Sequence, residues 1–145
     1  MENTISNRNE KAQGGEPPAV RGLRALVVDD DALIRTVLNA SLSQLGFTVS
    51  EAGNGLEGLA LAAQTYFDVI FMDIVMPEKD GLATTLELRQ RGVTSVIIVI
   101  TAHDKIGDTM LLEAARGFGA TDAIKKPFDP MGVARMAHAR VLAGV

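Results

Sequence analysis

The side chains best suited to phosphate or metal chemistry in this chain stand at the ends of four short apolar runs. Arg24-Ala25-Leu26-Val27-Val28 runs into Asp29-Asp30, and Phe67-Asp68-Val69-Ile70-Phe71-Met72 into Asp73. Val96-Ile97-Ile98-Val99-Ile100 runs into Thr101, and Thr121-Asp122-Ala123-Ile124-Lys125 into Lys126. Each run is short, rich in Val and Ile, and bounded by turn residues, which predicts a buried strand. In open parallel sheets, ligands bind outside the carboxyl ends of the strands. Three carboxylates, a hydroxyl and an ammonium are therefore expected at one edge of one sheet. That set suits a divalent cation beside a phosphoryl group.

Two or three carboxylates within ~4 Å repel by several kcal/mol at an effective dielectric near 20. Left uncompensated, the cluster would raise its own pKa values. A divalent cation removes the conflict, and an all-oxygen donor set favours a hard ion: Mg²⁺ first, with Mn²⁺ able to substitute. Asp31, the third consecutive acid, is expected to cap the helix that follows. Lys125 and Lys126 compete for the cationic place. Side chains alternate along a strand, so only one of them can face the pocket.

The elements that must carry these residues alternate along the chain. After Asp30, Leu33, Ile34, Val37, Leu38, Ser41, Leu42 and Leu45 recur at helical period until Gly46. Phe47 to Ala52 reads as a strand. Asn54 can cap a helix carrying Leu56, Leu59, Ala60 and Ala63. Pro77 and Asp80-Gly81 mark the loop after Asp73. Leu82 to Arg91 reads as a helix ended by Gly92. Ile106 to Arg116 reads as another, with Ile106, Met110, Leu111 and Ala114 on one side. Asp129-Pro130 pairs an N-cap with a proline at the first helical position. The last helix presents Val133, Met136, Ala137 and Val141. A strand–helix pair repeated five times calls for a parallel sheet with helices on both faces, joined by right-handed crossovers.

The chain's 145 residues suffice for one domain with a real core. Net charge is −4, from 18 acidic and 14 basic residues, which argues against direct nucleic-acid binding. The sequence holds no Cys, which excludes disulfides and thiolate metal sites. No run approaches the ~18 apolar residues of a membrane span, and no signal-peptide pattern opens the chain. A cytoplasmic location without membrane contact is the expectation. Residues 1–22 are polar and aperiodic, and read as a flexible N-terminal tail. Residues 23–145 form the folded domain. It ends about where the fifth helix ends, so a single-domain protein without an attached output domain is expected.

Four segments together resemble the receiver domain of bacterial two-component response regulators. They are Val27-Val28-Asp29-Asp30, Met72-Asp73-Ile74-Val75-Met76-Pro77-Glu78-Lys79-Asp80-Gly81, Ile100-Thr101-Ala102 and Lys126-Pro127-Phe128. The resemblance runs from Leu23 to about Leu142. It implies an α/β, flavodoxin-like (βα)5 fold: a doubly wound five-stranded parallel sheet of strand order 2-1-3-4-5. It implies that Asp73 accepts a phosphoryl group from a histidine kinase or histidine phosphotransfer protein, and that a downstream protein target reads the result. Asp30, Asp73 and the backbone carbonyl of Val75 would bind Mg²⁺ directly, with Asp29 acting mainly through water. Lys126 and Thr101 would each contact a phosphoryl oxygen. The family places its lysine directly before proline, after a cis bond, which selects Lys126 over Lys125. On this reading the protein is a phosphoacceptor that assists its own phosphoryl transfer and dephosphorylation, not an enzyme.

One position departs from the family. Three residues before the lysine, the family has an aromatic ring that swings inward on activation; here stands Ala123. The alternative function is therefore a receiver-like interaction module with little or no phosphorylation-dependent switching. Val75 and His103 stand where the family tunes water access. A haloacid-dehalogenase-like phosphatase would need a general acid two residues after Asp73, where Val75 stands. A flavin or nucleotide binder would want a Gly-rich loop after the first strand, where three aspartates stand instead.

Overall fold

The computed structural model describes residues 22–102 and 107–144. Residues 1–21 of the expected tail, His103 and Ile106 lie outside the described residues. Five strand–helix pairs follow in order. They are β1 (Leu23–Val28) and α1 (Ala32–Gln44), β2 (Phe47–Ala52) and α2 (Gly55–Gln64), and β3 (Val69–Asp73) and α3 (Gly81–Gln90). Then come β4 (Val96–Thr101) and α4 (Asp108–Gly117), and β5 (Asp122–Lys125) and α5 (Pro130–Ala143). All strand pairs are parallel, and the sheet order is β2-β1-β3-β4-β5. The flavodoxin-like arrangement expected from the sequence is the observed one.

Strand alternation divides the core in two. Ala25, Val27, Val69, Phe71, Ile98 and Ile100 point to one face, where Leu38 and Leu42 of α1 and Val133, Ala134, Ala137 and Val141 of α5 cover them. Leu26, Val28, Ile70, Met72, Ile97 and Val99 point to the other, under Leu59, Leu88 and Ala115 of α2, α3 and α4. The central strands are thus apolar on both sides, which is why their sequences read as continuous rather than alternating runs.

Helix starts are set by short polar side chains. The side chains of Asp31, Asn54, Asp80 and Asp129 accept from the main-chain N–H of Leu33, Glu57, Ala83 and Gly132, respectively. Helix α4 begins differently: its N-cap is Gly107, which offers no side-chain acceptor. Gly46 and Gly92, at φ of 93° and 89°, turn the chain out of α1 and α3.

Two helices face the sheet differently from their apolar stripes. In α2, Gly55, Gly58 and Leu59 are buried, while Leu56, Ala60 and Ala63 are exposed. The helix lies so close to β1 that a Cβ at Gly58 would stand 3.0 Å from Val28 Cγ2. Glycine at a close contact carries no hydrophobic signal, so the stripe missed this face. In α4, Leu111 and Ala115 are buried, one turn apart, whereas Met110 and Ala114 face outward. The fifth strand is also shorter than its apolar run, ending at Lys125.

Among the described glycines, Gly81 leaves the least room for a side chain. A Cβ there would meet the carbonyl oxygen of Asp73 at 2.0 Å and Ile74 Cα at 2.9 Å. Neither backbone neighbour can move without displacing the end of β3. Gly81→Ala is expected to destabilise the protein by about 2 kcal/mol or more, read as a lower urea midpoint with an unchanged m-value.

Candidate phosphoacceptor and metal site

The carboxyl ends of β1, β3, β4 and β5 deliver the site. Asp29 directly follows β1 and extends its ladder, its N–H donating to Ala52 O at 3.1 Å. Its side chain is fully buried. Oδ1 accepts from the N–H of Asp31 at 2.8 Å. Asp73 is the last residue of β3 and is also buried. Asp30 is exposed, yet one carboxylate oxygen from each of Asp29, Asp30 and Asp73 falls within 4.8 Å of the others. The predicted acid cluster therefore forms.

The lysine question is decided by contacts. Lys126 Nζ stands 3.1 Å from Asp29 Oδ2 and 3.6 Å from Asp73 Oδ2. Lys125 pairs instead with Asp108 at 3.1 Å. The Lys126-Pro127 peptide is cis. The Lys126 N–H donates to Thr101 O at 2.7 Å, tying the strand ends of β4 and β5 together. Thr101 is buried and lies one residue past Ile100, the register partner of Asp73.

The loop after Asp73 closes over it. Ile74 N–H donates to Ile100 O at 2.9 Å, and Gly81 N–H to Ile74 O at 2.8 Å. The Val75 N–H points at Asp73 Oδ1 across a long 3.4 Å. The Val75 side chain is exposed and offers no acid–base group. A phosphatase needing a general acid at this position is therefore not supported.

Charge balance explains the pocket's chemistry. Burial first, then the charge of Asp29, pushes the Asp73 carboxyl up to about 7, against the opposing pull of Lys126 and the Val75 N–H. Burial works against the Lys126 ammonium, but hydrogen bonding and attraction from Asp29 and Asp73 outweigh it and hold its pKa above the usual lysine value. Asp29 Oδ2 is buried without a hydrogen bond of ordinary geometry, despite the nearby ammonium. A buried, underbonded carboxylate oxygen among three carboxylates is what a hard divalent cation satisfies. The residues fit Mg²⁺ or Mn²⁺.

Sequence reasoning missed one contributor. Arg35 Nη1 donates to the main-chain carbonyl of Asp29 at 2.6 Å. Its spacing was a signal, because a residue four places after the Asp31 cap lies one helical turn along α1 and can reach back to the strand end.

A five-stranded parallel sheet with an acid pocket and a lysine at its carboxyl edge defines a receiver-type phosphoacceptor domain. Residues 25–137 match the family model of the response regulator receiver domain, and the chain belongs to that family. It is 40% identical over 106 residues to the response regulator MprA of Mycobacterium ulcerans, a match covering 73% of this chain and 44% of that protein. The chain thus spans under half the length of that relative. Among solved structures it resembles the receiver domain of Francisella response regulator 1452. There the TM-score is 0.78 and the identity 25%, over 85% of this chain and 99% of the other. It also resembles the chemotaxis protein CheY4 of Vibrio cholerae, with a TM-score of 0.72 and 29% identity over 82% and 98% of the two chains. Among the described residues no helix is long and apolar enough to cross a membrane.

The raised pKa of Asp73 has a measurable consequence. Without metal, the folded state holds a proton on Asp73 up to pH about 7, whereas a free aspartate releases it near 3.8. Folded protein then binds more protons than unfolded protein in that window, so this contribution to stability falls as pH rises through it. In EDTA, Asp73→Asn should gain stability over the wild type between pH 5 and 8, by on the order of 2 kcal/mol. Saturating Mg²⁺ should narrow the gap. Urea melts of both proteins at the two pH values measure it.

Proposed function

We propose that this protein accepts a phosphoryl group on Asp73 from a phosphohistidine of a histidine kinase or phosphotransfer protein. The observation that carries the reading is the convergence of Asp29, Asp30 and Asp73 within 4.8 Å, with Lys126 Nζ 3.6 Å from Asp73. In the transfer an Asp73 carboxylate oxygen forms the new P–O bond while the P–N bond to the imidazole breaks. The imidazole leaves as the neutral base once its ring holds one proton. Bound Mg²⁺ would neutralise charge on the phosphoryl oxygens and favour the ionised form of Asp73.

The chain's own groups divide the remaining work. Asp30, Asp73 and the Val75 carbonyl would hold the cation, with Asp29 beside them supporting it. Lys126, already above the two buried carboxylates, pairs with a phosphoryl oxygen. Thr101 hydrogen-bonds another, from the end of the neighbouring strand. The protein acts as a cytoplasmic phosphoacceptor that assists its own phosphorylation and dephosphorylation. It signals to a protein target rather than contacting nucleic acid directly.

Incubation with acetyl phosphate and Mg²⁺ should add one phosphate by intact mass, and Asp73→Asn should remove it. Full labelling of that variant would move the phosphoacceptor elsewhere.

Ala123 supports a second reading. It is partly buried against the core under α4, with Ala115 and Ala120 nearby in the same cluster. An alanine cannot carry a ring between inward and outward positions. A module with little phosphorylation-dependent switching would have this composition. Beryllofluoride plus Mg²⁺, followed by NMR, separates the readings. Shifts spreading from Thr101 into α4 are expected for the signalling protein. Shifts confined to the metal site favour the quiescent module.

A further inference from the structure

Asp30 differs from its two neighbours in how it is held. Asp29 and Asp73 are buried, and each meets Lys126 and a main-chain N–H. Asp30 is exposed, and among the described residues no group hydrogen-bonds or ion-pairs with its carboxylate. Its side chain nevertheless reaches to within 4.8 Å of both others. The placement must come from the backbone, above all from the Asp29–Asp30 peptide.

That peptide is anchored on its carbonyl side. Arg35 Nη1 donates to Asp29 O at 2.6 Å, while Arg35 Nε donates to Glu51 Oε1 at 3.1 Å. The second oxygen of Glu51 accepts from Asn39 Nδ2 at 2.8 Å. The guanidinium is thus fixed by a carboxylate that is itself fixed from α1. Its planar fork spans the two acceptors at once, which a lysine ammonium on a flexible stem does not reproduce. The Arg35 side chain is only 21% exposed, so the bond to Asp29 O is shielded from competing water.

We infer that Arg35 is a positioning residue for the metal site: by clamping the Asp29 carbonyl it sets the Asp29–Asp30 peptide plane, and so aims the Asp30 carboxylate at the cation. This rests on the proposed metal-dependent phosphoacceptor reading. It adds that Glu51 and Asn39, on the far side of the guanidinium, belong to the same device. Outer-shell partners of this kind change metal affinity without touching the ion.

The test is a Mg²⁺ titration of the metal-stripped full chain, followed by NMR at the amides of residues 29–31 and 73–75. Arg35→Ala should weaken binding about tenfold. Arg35→Lys keeps the charge but not the fork and should weaken it nearly as much. Wild-type affinity in Arg35→Lys would overturn positioning in favour of simple charge. In an Asp30→Asn background, with binding followed by Mn²⁺ line broadening, removing Arg35 should cost less than about twofold. A full tenfold loss there would show that Arg35 does not act through Asp30. Should Arg35→Ala fail to fold, Glu51→Gln loosens the clamp from outside the pocket and should weaken Mg²⁺ about two- to threefold. Unchanged affinity in Glu51→Gln would then overturn the device. A wild-type protein that shows no Mg²⁺ response at all would overturn the metal reading and this inference together. A wild type that binds, beside an Arg35→Ala that binds equally, would overturn this inference alone.

Discussion

A single ammonium, Lys126 Nζ, is shared by two buried carboxylates, those of Asp29 and Asp73. Neither acid lies on the strand that carries the lysine. The contact therefore closes only if β1, β3 and β5 end at one level, with β4 between the last two. The register supplies this: Val28 faces Met72, Asp73 faces Ile100, and Thr101 faces Lys125. One positive charge does not balance three acids, each ionised pair of which repels by about 3 kcal/mol at an effective dielectric of ~20. Burial first, and the neighbouring charge of Asp29 second, show as the raised pKa of Asp73. The pocket is built short of positive charge, which is the condition a bound divalent cation would relieve.

Much of the rest of the architecture holds that frustrated edge in place. Two apolar layers grip the sheet from both faces, so the strand ends cannot spread to relieve repulsion. The loop after Asp73 is pinned at both ends, by Ile74 to β4 and by Gly81 back to Ile74. Gly81 is a glycine because α3 starts in contact with the carbonyl of Asp73. Arg35 completes the frame on the β1 side.

Strand ends and the acid cluster were legible because they depend on apolar runs and on charged residues at their ends, both of which are local signals; the sheet order is a non-local fact and came only with the receiver-domain resemblance. Asp31, Asn54 and Asp129 were legible as caps for the same reason. The buried faces of α2 and α4 were not. In α2 the contact is made by Gly58, which has no side chain to register as hydrophobic. In α4 the exposed Met110 carries as much apolar signal as the buried Leu111 beside it. The choice between Lys125 and Lys126 could not come from alternation alone, since strand direction does not reveal which face meets the pocket. The Asp108–Lys125 pair depends on where α4 returns to β5, a tertiary fact. Arg35 was overlooked because it sits inside an apolar stripe, where a lone cation reads as a solvated helix residue.

Helix α4 stands apart from the other four in its start. It buries only Leu111 and Ala115 and starts from a glycine without a capping side chain, whereas α5 buries four side chains behind an aspartate cap. Local opening free energies follow buried contacts and satisfied ends. Backbone amides of α4 should therefore exchange with solvent well before those of α1 or α5. The helix that follows Thr101 in the chain is then held more loosely than α5, by fewer buried side chains and an uncapped start. An uncapped start beside a small buried face leaves this helix the freer of the two to shift.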